Sequence, residues 1–195
     1  MAQDTVEIRP GEKDRFEQFD DVELVARVNQ GDEAAFAALY HRHKDWVAGL
    51  AYRWTGDREA ALDVLQETFL YFVKKFPGFR LTAKLQTFLY PAVRNLSIAA
   101  RRKSERYQSV EPDAPVMQEQ AAATPAAGEE EQIRAALALL PETHREVLWL
   151  RFVDGMELAE IAEAMGIPLG TVKSRLHNAL ETLRKDERTR KLFEE

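Results

Sequence analysis

The stretch from Leu158 to Leu183 constrains the fold of this chain most strongly, because it predicts two short amphipathic helices joined by a tight break. Apolar residues recur at helical spacing on both sides of the break, so each helix has one apolar stripe. At the break, Gly166 gives the backbone the freedom that a sharp reversal needs, and Pro168 fixes the first dihedral angle of the second helix. This pattern is typical of a helix-turn-helix, whose second helix lies in the DNA major groove.

The second of these helices has a polar outward face, as a DNA-reading helix requires. Hydroxyl, cationic, imidazole and amide groups lie off its apolar stripe, and such groups pair with base edges and phosphates. Gly170 would let the backbone of the first turn approach a phosphate, which the positive end of the helix dipole favours. The alternative is a three-helix packing motif with an ordinary solvated face. The candidate DNA-contacting residues are Gly170, Thr171, Lys173, Ser174, Arg175, His177 and Asn178.

The rest of the chain also predicts helices. No segment alternates apolar and polar residues with a period of two, and hairpin signals are missing. We therefore expect an all-α protein of two small helical domains joined by a flexible linker. Pro91 lies inside the fourth predicted helix and should kink it near residues 87 to 91. The expected parts are a loosely held lead-in at 1–19, a helical domain at 20–106, a linker without Lys or Arg at 107–128, and a helix-turn-helix domain at 129–195.

Composition excludes several classes of function. The chain has no cysteine, which excludes a disulfide framework, a thiolate metal site and a cysteine nucleophile. His41 and His43 point to different sides of a helix without further ligands, and no nucleophile or phosphate loop is recognisable. We therefore expect no metal, no cofactor and no catalysis.

The chain begins without an apolar signal region and has no run long enough to span a bilayer, which predicts a cytoplasmic protein without membrane insertion.

The net charge also bears on DNA binding. A charge of −6 is unusual for a protein that binds DNA alone, because non-specific affinity comes mostly from neutralising phosphates. Either the basic groups are concentrated locally, or a partner supplies much of the affinity.

Four stretches of the sequence, taken together, resemble bacterial sigma factors of the extracytoplasmic-function (ECF) type. These are the two-domain subunits that let RNA polymerase recognise promoters. The resemblance covers nearly the whole chain outside the first 19 residues and the linker. The stretches are DVLQETF at 63–69, FLYPAVRNLSIAARRK at 88–103, LPETHREVLWLRF at 140–152 and EIAEAMGIPLGTVKSRLHNAL at 160–180.

The resemblance implies roles for two surfaces of the N-terminal domain. Asp63, Gln66 and Glu67 would dock on the clamp helices of the largest polymerase subunit, although an ordinary exposed acidic face is the alternative. A second surface would capture the unpaired strand of the minus-ten element, since aromatic rings stack on bases and cations follow the backbone. Phe88 and Tyr90 are equally compatible with the core. The candidate strand-binding residues are Phe79, Arg80, Lys84, Tyr90, Arg94, Asn95, Arg101 and Arg102.

The sequence departs from the family pattern at several positions. Phe88 stands where the family usually has Trp, and Met156-Glu157 replaces the usual hydroxyl cap of the first helix in the helix-turn-helix. His177 and Asn178 replace the larger or basic groups that are common there. These last two changes are expected to weaken phosphate contact or alter base preference at the minus-thirty-five element.

The resemblance implies a sigma factor that binds core RNA polymerase, directs it to specific promoter DNA and assists melting, with an anti-sigma factor as a further partner. The alternative function is a stand-alone helix-turn-helix transcription regulator, whose N-terminal helices serve as a sensor or a dimerisation unit. That regulator would bind duplex operator DNA unaided. A sigma factor would instead be nearly inert on DNA until it joins core polymerase.

Overall fold

The computed structural model of the protein describes Phe16, residues 18–110 and residues 135–190. Within these residues all regular secondary structure is helical, which confirms the predicted all-α fold class. The chain divides into two compact units, Met1–Pro112 and Asp113–Glu195. No helix in the described part of the chain is both long enough and apolar enough to cross a membrane.

The first unit contains helices whose starts are capped by aspartate. Asp20, Asp32 and Asp57 each accept a hydrogen bond from the backbone N–H three residues later, at 2.8, 3.1 and 2.6 Å. Each bond satisfies one of the amide groups that a helix N-terminus leaves unpaired. Gly56, at a φ of 67°, ends the second helix in the left-handed conformation. The helices are α1 Asp21–Val28, α2 Glu33–Thr55, α3 Arg58–Val73 and α4 Leu85–Val110.

The core of this unit lies where α2, α3 and α4 pack on one another. Each helix contributes one apolar stripe, and complete burial of such a side chain stabilises the fold by about 1.5 to 3 kcal/mol. The core side chains include Leu39, Val47 and Leu50 of α2, Val64 and Phe72 of α3, and Leu85, Leu89 and Val93 of α4.

The segment before α1 is attached to α2 by Arg42. Its guanidinium donates to the backbone carbonyls of Phe16 and Phe19, at 3.2 and 2.9 Å, and to the Asp21 carboxylate at 2.7 Å. Phe16 is 3% exposed. The loosely held lead-in predicted at 1–19 therefore does not include Phe16 and Phe19, because a buried ring and two carbonyl bonds hold them. Residues 1–15 and 17 lie outside the described residues.

A partly buried hydrogen bond also joins α1 to α2. His43 Nε2 lies 2.8 Å from Asp21 Oδ2, which gives this histidine a structural role. Burial alone would raise the pKa of Asp21, but the hydrogen bonds and charges of His43 and Arg42 hold it below its usual value. The neighbouring Arg42 and His43 thus share one carboxylate.

The helix α4 is continuous from Leu85 to Val110, although Pro91 lies inside it. Pro91 is exposed, and its missing N–H removes the helical donor for the carbonyl of Thr87. A kink at this point stays a prediction. The helix also extends four residues into the linker predicted at 107–128, and residues 111–128 lie outside the described residues.

The second unit contains the helix-turn-helix. Residues 135–138 are helical, and α5 Glu142–Leu148 continues as a π-helical turn at Trp149–Val153. The next helices are α6 Leu158–Met165, α7 Leu169–Lys185 and α8 Glu187–Arg190. The core of the unit contains Ala136, Leu140, Leu148, Ala179 and Leu183, against which Leu137, Leu176 and Leu180 pack.

The ends of α6 explain why the chain reverses where the sequence predicts. At its start, the backbone N–H of Glu157 donates to Glu160 Oε2 at 2.9 Å, so a carboxylate three residues on binds the cap residue's own amide. At its end, Gly166 adopts a φ of 64°, and Ile167 N–H donates to the carbonyl of Ala162 at 3.0 Å. This bond closes a Schellman turn, which leads directly into α7.

Candidate nucleic-acid interfaces

The outward face of α7 carries the polar residues that the sequence assigns to DNA. Val172, Ala179 and Leu183 are buried, so the other side of the helix faces solvent. No side chain caps α7 at Pro168, and a side chain at Gly170 would meet no atom within 4 Å, so the start of the helix is open to an anion. The exposed members of the predicted set are Gly170, Lys173, Ser174, His177 and Asn178, whereas Thr171 and Arg175 are half-buried.

Arg175 differs from Lys173 because a buried carboxylate lies near it. Glu146 of α5 is 2% exposed, and burial raises its pKa to about 7 despite the opposing charge of Arg175. Lys173 is exposed, and its flexible ammonium suits a phosphate. Glu146 is not among the predicted site residues, although its position one helical turn before the buried Leu150 is a signal that could have identified it.

In the first unit, the loop between α3 and α4 is held by aromatic contacts. Phe79 is half-buried, and its ring centroid lies 4.6 Å from that of Phe88, 5.5 Å from that of Phe72 and 5.6 Å from that of Phe76. These four residues form what we call the phenylalanine cluster. Arg80 directly follows Phe79 in the chain and is exposed. The cluster fixes the Phe79 ring and leaves the Arg80 side chain at the surface.

The structure contradicts the prediction that Tyr90 contacts the melted strand. Tyr90 is 0% exposed, with Leu89 and Val93 beside it in the core, so no base can stack on it. The alternative assignment of Tyr90 to the core is thus the one that the structure supports. Phe88 is half-buried and packs within the phenylalanine cluster.

The polar residues of α4 divide between two sides of the helix. Asn95 and Arg102 are seven residues apart, which is about two turns, so they share one exposed face. Arg94 is half-buried, with its guanidinium 5.2 Å from the ring centroid of Trp54 in α2. Arg101 is half-buried and lies 3.7 Å from a Glu105 carboxylate oxygen. Of the eight predicted strand-binding residues, those at the surface are Arg80 and Lys84 in the loop before α4, and Asn95 and Arg102 on α4.

The predicted polymerase-binding residues Asp63, Gln66 and Glu67 are exposed on α3 and line an open groove of about 560 Å³ between α3 and α4. Lys103 and Ser104 of α4 lie on its other side. This surface also has an apolar part that was not predicted from the sequence. Along the same side of α3, Leu62, Leu70 and Val73 are 46%, 49% and 41% exposed.

Asn29, the C-cap residue of α1, also reaches the loop, although it is not among the predicted site residues. The side-chain amide of Asn29 binds the backbone of Gly78 and of Phe79. Nothing in the sequence connects residues about fifty positions apart.

Two protein-family models match this chain, one in each unit. A model described as Sigma-70 region 2 matches residues 39–107, and one described as Sigma-70, region 4 matches residues 130–183. The chain is 32% identical over 177 residues to the ECF RNA polymerase sigma factor SigW of Bacillus subtilis, covering 84% of this chain and 95% of that protein. It is 36% identical over 163 residues to SigL of Mycobacterium tuberculosis, covering 78% and 89%.

Two solved structures share the fold. CnrH, in complex with the cytosolic domain of CnrY, superposes with a TM-score of 0.63 at 22% identity, covering 83% of this chain and 93% of that one. The sigma factor RpoE of Bartonella quintana, in complex with the anti-sigma factor NepR, gives a TM-score of 0.58 at 21% identity and covers 77% and 94%.

Proposed function

We propose how this chain, which belongs to the ECF sigma factors of the sigma-70 family, divides promoter recognition between its two helical units. Members of this family confer promoter-specific initiation on RNA polymerase, and this chain does the same. In our proposal the second unit reads the upstream promoter element. The first unit binds core polymerase and captures the melted strand. The chain acts in the cytoplasm and supplies binding, without catalysis of its own.

The observation that carries the upstream assignment is the exposed polar face of α7. Its buried stripe fixes the helix against the core, so the opposite side can enter a major groove. Lys173 and Arg175 supply the charges that bind phosphates and guanines, and Asn178 supplies an amide of the type that pairs with adenine. Ser174 Oγ already donates to the carbonyl of Thr171 at 3.0 Å, so it is available as an acceptor.

The surface around Arg80 supports the assignment of strand capture to the first unit. Arg80, Lys84, Asn95 and Arg102 are exposed polar residues beside the loop and along one face of α4. Cations of this kind bind the phosphates of a single strand, and the amide of Asn95 can pair with a base edge. Because Tyr90 is buried and Phe79 is half-buried, this surface relies less on stacking than the sequence predicts.

Polymerase binding is assigned to the α3 surface. Asp63, Gln66 and Glu67 present acceptors to a basic helix, and the exposed side chains of Leu62 and Leu70 add apolar area to the contact. The net charge of −6 keeps the free chain away from bulk DNA until polymerase adds its own contacts. We also propose that an anti-sigma factor binds the free chain, as expected for the family.

In-vitro transcription tests the proposal as a whole. Purified core polymerase is incubated with a genomic DNA library with and without the chain, and the transcripts are sequenced. We expect a small set of specific start sites that depends on the chain. If the chain had no affinity for core polymerase and bound duplex DNA tightly by itself, it would act as a stand-alone regulator and the proposal would fail.

Charge reversal on α3 should separate polymerase binding from DNA binding. In the double variant Asp63→Lys/Glu67→Lys, two acceptors become cations that face a basic partner, and like charges across an interface cost several kcal/mol. We expect the affinity for core polymerase to fall by roughly 100-fold, as measured by anisotropy of the fluorescently labelled chain.

The matched control for this variant is Glu33→Lys/Asp45→Lys, which makes the same charge change at two exposed positions of α2. It should bind core polymerase within about twofold of the unmodified chain, since surface substitutions away from special features change little. Equal losses in both double variants would mean that net charge, and not the α3 surface, controls docking.

A further inference from the structure

The side chain of Asn29 connects α1 to the loop between α3 and α4. Asn29 is the C-cap residue of α1, and its side chain spans about fifty positions of sequence. Its Nδ2 donates to the backbone carbonyl of Phe79 at 2.8 Å, and its Oδ1 accepts from the backbone N–H of Gly78 at 2.7 Å. Both bonds have good lengths, so one planar amide binds the backbone of two successive residues.

These bonds act on a segment that has no regular secondary structure. Residues 76–84 lie between the last turn of α3 and the start of α4. The Phe79 ring packs on Phe88 and Phe72 from the side of the core. The Asn29 amide holds the backbone of the same residue from the side of α1. Phe79 is thus fixed at its ring and at its carbonyl, which also fixes the backbone from which the exposed Arg80 extends.

We propose that Asn29 is a positioning residue for strand capture, because it sets the position of the Phe79–Arg80 backbone in the loop that faces the melted strand. The inference rests on the proposed function of the first unit. Asn29 does not contact the strand itself. It makes the loop rigid before binding, so that the strand does not have to order it, and such preorganisation raises affinity.

The chemistry requires an amide at this position. Only a group with a donor and an acceptor on one plane can bind an N–H and a carbonyl together. An aspartate would still accept from Gly78 N–H but would place a negative charge against the carbonyl of Phe79. An alanine would make neither bond. A glutamine is one methylene longer and could not keep the same geometry.

The test compares single-stranded and double-stranded DNA binding by the holoenzyme. The single-stranded probe is a labelled non-template oligonucleotide that covers the minus-ten region of a promoter identified in the transcription experiment. The double-stranded probe is a duplex that carries only the upstream element of that promoter. The variants are Asn29→Ala and Asn29→Asp, and the control is Gln30→Ala at the exposed neighbouring position.

We expect Asn29→Ala to lower affinity for the single strand by about fivefold, because it loses both hydrogen bonds, each of which is worth about two- to tenfold. Asn29→Asp should lower it by roughly tenfold, because it loses one bond and also places a negative charge against the Phe79 carbonyl. Affinity for the upstream duplex and for core polymerase should stay within about twofold, and Gln30→Ala should bind both probes normally. In the free chain, the Gly78 amide should lose its protection from hydrogen exchange in Asn29→Ala.

Each possible outcome is decisive. Equal single-strand affinity in both Asn29 variants and the unmodified chain would overturn the inference, and so would parallel losses of single-strand, duplex and core binding. If the unmodified holoenzyme failed to bind the single strand, the proposed function of the first unit would itself be wrong. Combining Asn29→Ala with Arg80→Ala adds a coupling test. The Asn29 effect should disappear in the double variant, because the residue acts through the loop.

Discussion

Replacing both Lys173 and Arg175 by alanine should lower the affinity of the holoenzyme for its promoter by roughly 100-fold or more, because each base or phosphate contact on a recognition helix is worth about 1 to 3 kcal/mol. Lys173 is exposed and Arg175 is half-buried, on opposite flanks of the buried stripe of α7. Core binding should be unchanged, because the assigned polymerase-binding residues lie on α3 in the other unit. Electrophoretic mobility shift of the holoenzyme on promoter duplex measures the first quantity, and anisotropy with core polymerase measures the second.

The salt dependence of this variant gives a second readout. Each phosphate contact that is lost should reduce the slope of log affinity against log salt by about 0.9. The matched control is Arg184→Ala/Lys185→Ala, which removes the same two types of charge from the end of the same helix. There both residues pair with Glu181, at 3.9 and 3.2 Å. If the control lost promoter binding as strongly as Lys173→Ala/Arg175→Ala, position on α7 would not matter and the recognition face would be assigned wrongly.

Replacing Glu146 by glutamine should make the second unit more stable at pH 8, which is the second large effect that we expect. Burial raises the pKa of Glu146 from 4.5 to about 7, even though Arg175 opposes the shift. A pKa raised in the folded state means that the folded chain binds the proton more tightly than the unfolded chain. The contribution of Glu146 to the free energy of unfolding is therefore fully present below pH 4.5, where the carboxyl is protonated. It falls as the pH rises towards 7 and is lost above that.

The size of the expected gain in stability follows from the shift in the pKa of Glu146. At about 1.4 kcal/mol for each unit of pKa, the ionised Glu146 costs of the order of 3 kcal/mol above pH 7. Glutamine has nearly the same shape without the charge, so Glu146→Gln should gain most of that amount at pH 8 and little at pH 4.5. The free energy of unfolding can be followed in the full chain by pulse-labelled hydrogen exchange of α5 peptides along a urea series.

Glu163→Gln is the control for this experiment, since it removes the same charge from an exposed position of α6. Its stability should follow that of the unmodified chain within about 0.5 kcal/mol at both pH values. A destabilised Glu146→Gln at pH 8 would contradict the prediction. It would mean that attraction to Arg175 outweighs the cost of burying the carboxylate.

Local patterns predicted the features that depend on neighbouring residues. Gly166 reverses the chain because it adopts a positive φ, which a glycine reaches without steric cost. The buried stripe of α7 follows directly from the spacing of its apolar residues. All these relations lie within one or two helical turns, so a single sequence contains them.

The features that the sequence did not predict depend on contacts between distant segments. Tyr90 is an aromatic residue between basic ones, and only the packing of α4 decides that it points into the core. Asn29 binds a loop that lies about fifty residues away, and the buried position of Glu146 depends on how α7 packs on α5. Hydrophobic spacing cannot reveal the direction of a side chain that has both polar and apolar parts.

The helix α3 contributes to two surfaces of the first unit, namely the phenylalanine cluster on one side and the proposed polymerase-binding residues on another. Phe72 is completely buried on one side of this helix, 5.5 Å from the Phe79 ring, while Asp63 and Glu67 are exposed on another side. One helix thus connects the proposed docking residues to the aromatic contacts that hold the loop. If docking at the proposed α3 surface strengthens the proposed strand capture, thermodynamic reciprocity requires that the opened promoter strengthen polymerase binding by the same factor. Release of the sigma factor should accordingly become easier once the promoter strand has left the loop.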